Sequence, residues 1–173
     1  MPTSLFTGGN HICIATRDID RAVRVWWDRY GVGPWRVFSY DATNMRATVE
    51  GRPTDFRMRA GLAQLGPHFR IEIIEPLDER SPYAKSLADH DGADHIHHVR
   101  LDVAEFAGAL GHLRELGLNT ILHAQFKAGS ADGLQVTGTY LATEADLGFI
   151  LEIADVPPGF SMPEPDYVYP SRA

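Results

Sequence analysis

The chain has 173 residues, 44% of them hydrophobic, with a formal net charge of −7 and a pI near 5.5. That length suffices for one well-cored domain or two small fused modules, and the acidic balance argues against a nucleic-acid partner, which needs a basic face. No apolar run approaches membrane-spanning length, Met1 to Asn10 has neither the basic nor the apolar region of a signal peptide, and Cys13 is the sole cysteine. The expected setting is therefore cytoplasmic and reducing, with no membrane partner and no internal disulfide.

In chain order, His11 to Thr16 is short, apolar and rich in β-formers, which predicts a strand. Asp18 is placed to cap a helix running to Tyr30, whose Ala22, Val23, Trp26, Trp27 and Tyr30 recur at helical spacing, with Gly31 as the stop. Gly33-Pro34 turns the chain into a strand at Trp35–Tyr40. Residues 41–53 read as loop or as a short strand around Arg46 to Glu50, and strands are expected at Asp55–Leu65 and Phe69–Ile74. Ser81-Pro82 is an N-cap followed by proline at the first helical position, so a connector helix should run to about His90. His98–Val103 is the next strand and Ala104–Leu116 the next helix, ended by Gly117. Strands at Leu118–Ala124, Gln135–Ala142 and Phe149–Ile153 follow, with a Gly-rich loop at 127–134.

The second half repeats the first. Gly31 lies 20 residues after His11 and Gly117 lies 19 after His98; Glu72 lies 61 after His11 and Glu152 lies 54 after His98. Two diverged copies of a strand-helix-three-strand unit explain this economically. The expected parts are a first module at 1–77, a connector helix at 78–93, a second module at 94–155 and a Pro-rich tail at 156–173. That tail has no periodicity and should lie over the surface or a neighbouring subunit.

Three of the eight histidines stand at His95, His97 and His98, which taken alone suggests either a local histidine site or a solvated His-rich loop. The repeat selects among them. In each half a histidine opens the first strand and a glutamate sits in an apolar last strand, Ile71-Glu72-Ile73-Ile74 and Ile150-Leu151-Glu152-Ile153. Alternation lets each point to the concave face of its sheet. A carboxylate there is costly to bury unless it meets a cation or a strong donor, the alternative being glutamates on solvent-exposed faces. Two His and two Glu make an N2O2 set suited to a divalent first-row metal, with two positions left for water or substrate. By the same parity Arg70 and Arg100 share the inward face, as anchors for a substrate carboxylate or as partners of internal acids. Tyr140 reads as a further donor on that face, the alternative for an aromatic in a strand being plain core packing. His97 is expected to face the other way, and His95 to belong to the surface or connector.

His11 to Ala15, Ile71 to Leu77, Ser81 to Lys85, His97 to Val99 and Gly148 to Ile153, in that order, resemble the vicinal oxygen chelate (glyoxalase/bleomycin resistance/dioxygenase) superfamily. Within it the chain is most similar to methylmalonyl-CoA epimerases. The resemblance implies an α+β fold of paired βαβββ modules forming a cup-shaped mixed sheet around a metal site. His11, Glu72, His98 and Glu152 would be ligands of a divalent ion (Co, Ni, Mn, Zn or Fe), and a homodimer is expected because relatives commonly dimerise. It also implies an isomerase or epimerase that removes a proton α to a carbonyl through a metal-stabilised enolate. The substrate would be a small carboxylic acid or acyl-CoA ester.

The chain departs from the epimerases at the base, which they place on a glutamate of the second strand pair. Asp55 to Arg59 offers none. Asp55 is the nearest carboxylate, Glu50 a weaker substitute, and Glu152 could serve if weakly coordinated. The epimerases also carry a small residue where this chain has Arg100. Other expectations within the superfamily are a glyoxalase-type lyase or a ring-cleaving dioxygenase, although a fourth ligand at Glu72 favours redox-neutral chemistry. An expectation from a different class is a non-catalytic protein that sequesters a small ligand.

Overall fold

A computed structural model describes residues 4–127 and 135–171. Most of the Gly-rich loop expected at 127–134 lies outside them. Within the described residues one mixed sheet carries eleven strands. The first half holds β1 (Phe6–Ala15), α1 (Ile19–Tyr30), β2 (Trp35–Tyr40), β3 (Met45–Val49), β4 (Arg52–Pro53), β5 (Met58–Gln64) and β6 (Arg70–Pro76). After α2 (Pro82–Asp89) come β7 (His95–Val103), α3 (Phe106–Glu115), β8 (Thr120–Lys127), β9 (Gln135–Leu141), α4 (Glu144–Leu147), β10 (Ile150–Asp155) and β11 (Tyr167–Tyr169).

Each half repeats one pairing scheme. β1 runs parallel to β6, which is antiparallel to β5, which is antiparallel to β2. β7 runs parallel to β10, then β9 and β8 follow antiparallel. The halves join through the antiparallel pair β1–β7. The sheet order is β11-β2-β5-β6-β1-β7-β10-β9-β8-β3-β4. The ambiguous stretch 41–53 holds a turn followed by the hairpin of β3 and β4. The Asp41–Asn44 turn carries the chain from β2 near one end of the sheet to β3, which pairs with β8 near the other. That link draws the curved sheet into an unclosed cup.

Local chemistry sets the elements. The Asp18 carboxylate accepts from the Arg21 amide at the start of α1, and Gly31 closes the helix at φ 66°, a conformation that glycine adopts at little cost. Ser81 caps α2 by accepting from the Ala84 amide. The helices cover the outer face. Ile19, Ala22 and Val23 of α1 pack on Trp35, Val37, Ala63, Ile71 and Ile73, and Ala109, Leu110 and Leu113 of α3 pack on Leu141, Leu151 and Ile153. Trp26 joins the first cluster, whereas Tyr30 stays exposed. Ile71 and Ile73 thus face α1, and Leu151 and Ile153 face α3. Alternation sends Glu72 and Glu152 to the concave side.

The tail does more than lie over a surface. Val156, Phe160, Met162 and Pro163 line the mouth of the cup. β11 then pairs with the edge strand β2, and the Tyr167 hydroxyl donates to Asp20. Among the described residues no helix is long and apolar enough to cross a membrane.

Candidate metal centre

Two registers of the sheet build the floor of the cup. One places Arg70, His11, Arg100, Glu152 and Tyr140 side by side on β6, β1, β7, β10 and β9. The next places Glu72, Cys13 and His98 together. Four donor atoms from these rows converge. His11 Nε2 stands 3.0 Å from Glu152 Oε2 and 3.5 Å from Glu72 Oε2. His98 Nε2 stands 3.2 and 3.3 Å from the same two oxygens, and the two imidazole nitrogens are 3.2 Å apart. Donors each about 2.1 Å from a common ion stand about 3.0–3.4 Å from one another.

Among the described residues Glu72 Oε2 and Glu152 Oε2 accept no well-aligned hydrogen bond although both are buried, and a buried anionic oxygen without a donor is costly. The donor type, the spacing and the orphaned oxygens all fit a divalent ion held by His11, Glu72, His98 and Glu152. Cys13 Sγ lies within 4.8 Å of the Glu72 and His98 donor atoms. Burial and the neighbouring Glu72 charge push its thiol pKa up, so it stays a neutral thiol at neutral pH.

The electrostatics follow from that crowding. Burial alone would raise both glutamates, yet His11 and His98 hold Glu72 and Glu152 below the ordinary carboxylate range. Burial would lower His98, but Glu152 and Glu72 push it up to about 9. In the protein alone, a proton on His98 balances part of the charge that a cation would balance.

Behind the donors the two halves differ. His11 Nδ1 lies 3.3 Å from Asn10 Oδ1, which also accepts from Arg70 Nη2, and Asn10 Nδ2 donates to Asp102 at 3.0 Å. His98 Nδ1 lies 3.0 Å from His97 Nδ1, and the His97 ring packs 4.6 Å from that of Tyr83. Alternation had put His97 on the opposite face. It is instead buried beside His98, because a register shift between Cys13 and Ile14 makes it the extra residue of a β-bulge. A second shift between Gly9 and His11 lets Asn10 join His11 on the cavity side. His95 is a connector residue, stacked on His90 and bonded to Ser86.

The floor opens into a cavity of about 500 Å³. Arg70, Arg100, Tyr140 and Asp102 line its polar side; Met58, Leu62 and Phe126 line its apolar side. Tyr140 stands edge-on to His98 at 4.8 Å, and burial raises its pKa so that it remains a hydroxyl donor. A Cβ at Gly138 would come within 3.0 Å of Glu152 Oε1, so glycine there leaves room for that oxygen.

Asp55 is not brought to this site. β5 begins only at Met58, leaving Asp55 exposed in the preceding connection beside His123 and Gln125, outside the cup. The inward residues Met58, Ala60 and Leu62 of that strand are apolar. Glu50 sits in the β3–β4 hairpin turn at φ 49°. Sequence reasoning missed Asn10, which the bulge conceals. It also missed Asp102, which parity with His98 and Arg100 could have found.

A family profile described as the Glyoxalase/Bleomycin resistance protein/Dioxygenase superfamily matches residues 10–137. No curated protein matches the sequence. Among solved structures, the chain is similar to methylmalonyl-CoA epimerase from Mycobacterium tuberculosis, at 22% identity and TM-score 0.61 over 91% of this chain and 93% of that one. It is similar to a hypothetical protein from Bacillus halodurans C-125, at 20% and 0.61 over 88% and 96%. It is also similar to a Streptomyces coelicolor methylmalonyl-CoA epimerase in complex with 2-nitronate-propionyl-CoA, at 19% and 0.62 over 86% and 96%. At these identities the neighbours establish the fold rather than an activity. With the profile covering most of its length, the chain belongs to the glyoxalase/bleomycin resistance protein/dioxygenase superfamily.

Proposed function

We propose that this protein is a divalent-metal-dependent isomerase or epimerase that removes and returns a proton α to a carbonyl of a small carboxylic acid or acyl-CoA ester. One observation carries the reading: two imidazole nitrogens and two carboxylate oxygens, from both halves of the chain, converge within 3.0–3.5 Å at the floor of the cavity. The resemblance to epimerases supports the direction of the chemistry. A bound divalent ion supplies Lewis acidity to the carbonyl next to the reacting carbon.

The chain's own groups do the rest. His11, His98, Glu72 and Glu152 hold the ion through Nε2 and Oε2. Glu152 is the base, taking the α-proton on Oε1, which stands outside the four-donor cluster in the space that Gly138 keeps clear. Its proximity to the ion keeps that carboxylate deprotonated until it acts. Returned by Glu152 to a neighbouring atom, the proton completes an isomerisation; in an epimerisation Glu152 keeps the proton and a water entering through the mouth of the cavity protonates the opposite face of the carbon. Tyr140 donates its hydroxyl to a substrate oxygen, and the apolar wall with the tail residues Phe160 and Met162 packs against the body of the substrate.

Solvent deuterium exchange into candidate carboxylic acids and acyl-CoA esters tests this reading. The metal-loaded protein should incorporate deuterium at the α-carbon, and Glu152→Gln should reduce the rate at least about 100-fold, with metal content followed in parallel. No exchange by the loaded wild type, or unchanged exchange by the loaded variant, overturns it.

A further inference from the structure

Arg70 and Arg100 flank His11 on its two neighbouring strands, one register from Glu72 and His98. Both guanidinium groups line the cavity. Arg100 is only 9% exposed, and its Nε is buried with no hydrogen-bond partner among the described residues. Its nearest acid, Asp102, is 3.8 Å away, is 42% exposed and is already bonded to Asn10. Arg70 donates Nη2 to the neutral Asn10 amide oxygen and, among the described residues, forms no ion pair. Two cations on either side of one histidine, Arg100 buried and Arg70 partly so, are costly to keep there unless an anion joins them. A guanidinium pair matches a carboxylate, which can take two parallel N–H bonds from each fork. Much of the remaining lining is apolar, with Met58, Leu62, Phe126, Val136, Phe160 and Met162, and Lys127 among it donates to the Thr43 carbonyl.

We infer that Arg70 and Arg100 form an anion subsite beside the four-donor cluster, and that the substrate is a free carboxylic acid with a short apolar body rather than a coenzyme A thioester. The inference rests on the proposed metal-centred cavity as the place where substrate binds. Successive inward residues on a strand are about 6.6 Å apart, so the carboxylate and the oxygens facing the cluster lie within a few bonds of each other in one small molecule. The apolar body fills the side roofed by the tail. A thioester carbonyl presents no charge to the two arginines, and the phosphates of coenzyme A lie many bonds from the acyl carbon.

The test is calorimetric titration of the full chain loaded with cobalt(II), using 2-oxo-4-methylpentanoate, its methyl ester and isovaleryl-CoA as probes. The acid should bind at least tenfold more tightly than the ester or the thioester. Arg100→Gln and Arg70→Gln should each weaken the acid at least tenfold and leave the ester unchanged, at wild-type cobalt stoichiometry. Equal binding of acid and ester, or tighter binding of the thioester, overturns the inference in the wild type alone, whatever the variants do. Wild-type affinity for the acid in both variants also overturns it. If the acid binds through the arginines but the loaded protein exchanges no α-proton, the anion subsite stands and the proposed reaction falls.

Discussion

The two halves of the cup present the same donors and back them differently. In the first half, His11 rests on Asn10 and through it on Arg70 and Asp102, all bordering the cavity. Its partner Glu72 is the more open of the two glutamates, with 14% side-chain exposure against 6% for Glu152. In the second half, His98 is fully buried against His97, Tyr83 and Tyr140, and Glu152 is fitted against Gly138. Diverged copies have kept the donors and divided the labour. The apolar, aromatic backing of His98 is suited to holding a donor in place, whereas the polar backing of His11 is continuous with the cavity wall.

This contrast can be broken experimentally. The largest effect is expected from His98→Ala, which removes a fully buried donor and should abolish divalent-ion binding, a loss greater than the roughly 10–100-fold cost of losing an outer partner. Next is Gly138→Ala. Its Cβ would stand 3.0 Å from Glu152 Oε1, so the carboxylate must move, and ion affinity should fall by about tenfold or more. The smaller His97→Ala change should weaken ion affinity about tenfold, because with Nε2 on the ion, His98 must donate its Nδ1 proton to an acceptor, and His97 Nδ1 is placed to receive it. Removing Asn10, on the polar side, should instead alter anion binding more than ion binding. Parallel titrations with metal and with a carboxylate separate the two.

A pH effect sharpens the same comparison. His98 is pushed up to about 9, above its ordinary value. Below about pH 6.5 it is protonated in both folded and unfolded chains, so its stabilising contribution is complete there and is lost as pH rises through 9. The metal-free protein should therefore show a falling Tm between pH 6.5 and 9. The loaded protein, in which the ion replaces that proton, should not. The smallest effect belongs to Asp55→Ala: Asp55 is exposed outside the cup, so proton exchange and ion affinity should both match wild type.

How much of this was legible in the sequence depended on periodicity. The strand-helix units, the caps at Asp18 and Ser81, and the inward faces of β6 and β10 follow from spacing and side-chain chemistry, and with them the meeting of His11, Glu72, His98 and Glu152. What stayed hidden breaks the period. Bulges near Asn10 and His97 admit one residue too many on the cavity side, and no alternation rule foresees that. The crossing of β3 to β8 is a long-range pairing set by curvature of the sheet. The roof supplied by Phe160 and Met162 comes from a segment with no period at all.

The central claim is that four donors from the two halves hold one divalent ion. Calorimetric titration of metal-free protein with cobalt(II) tests it most directly. The account predicts one ion per chain, a proton released from His98 on binding below pH 9, and no binding by His98→Ala. Absence of binding by the wild type, or wild-type affinity in His98→Ala, would contradict it.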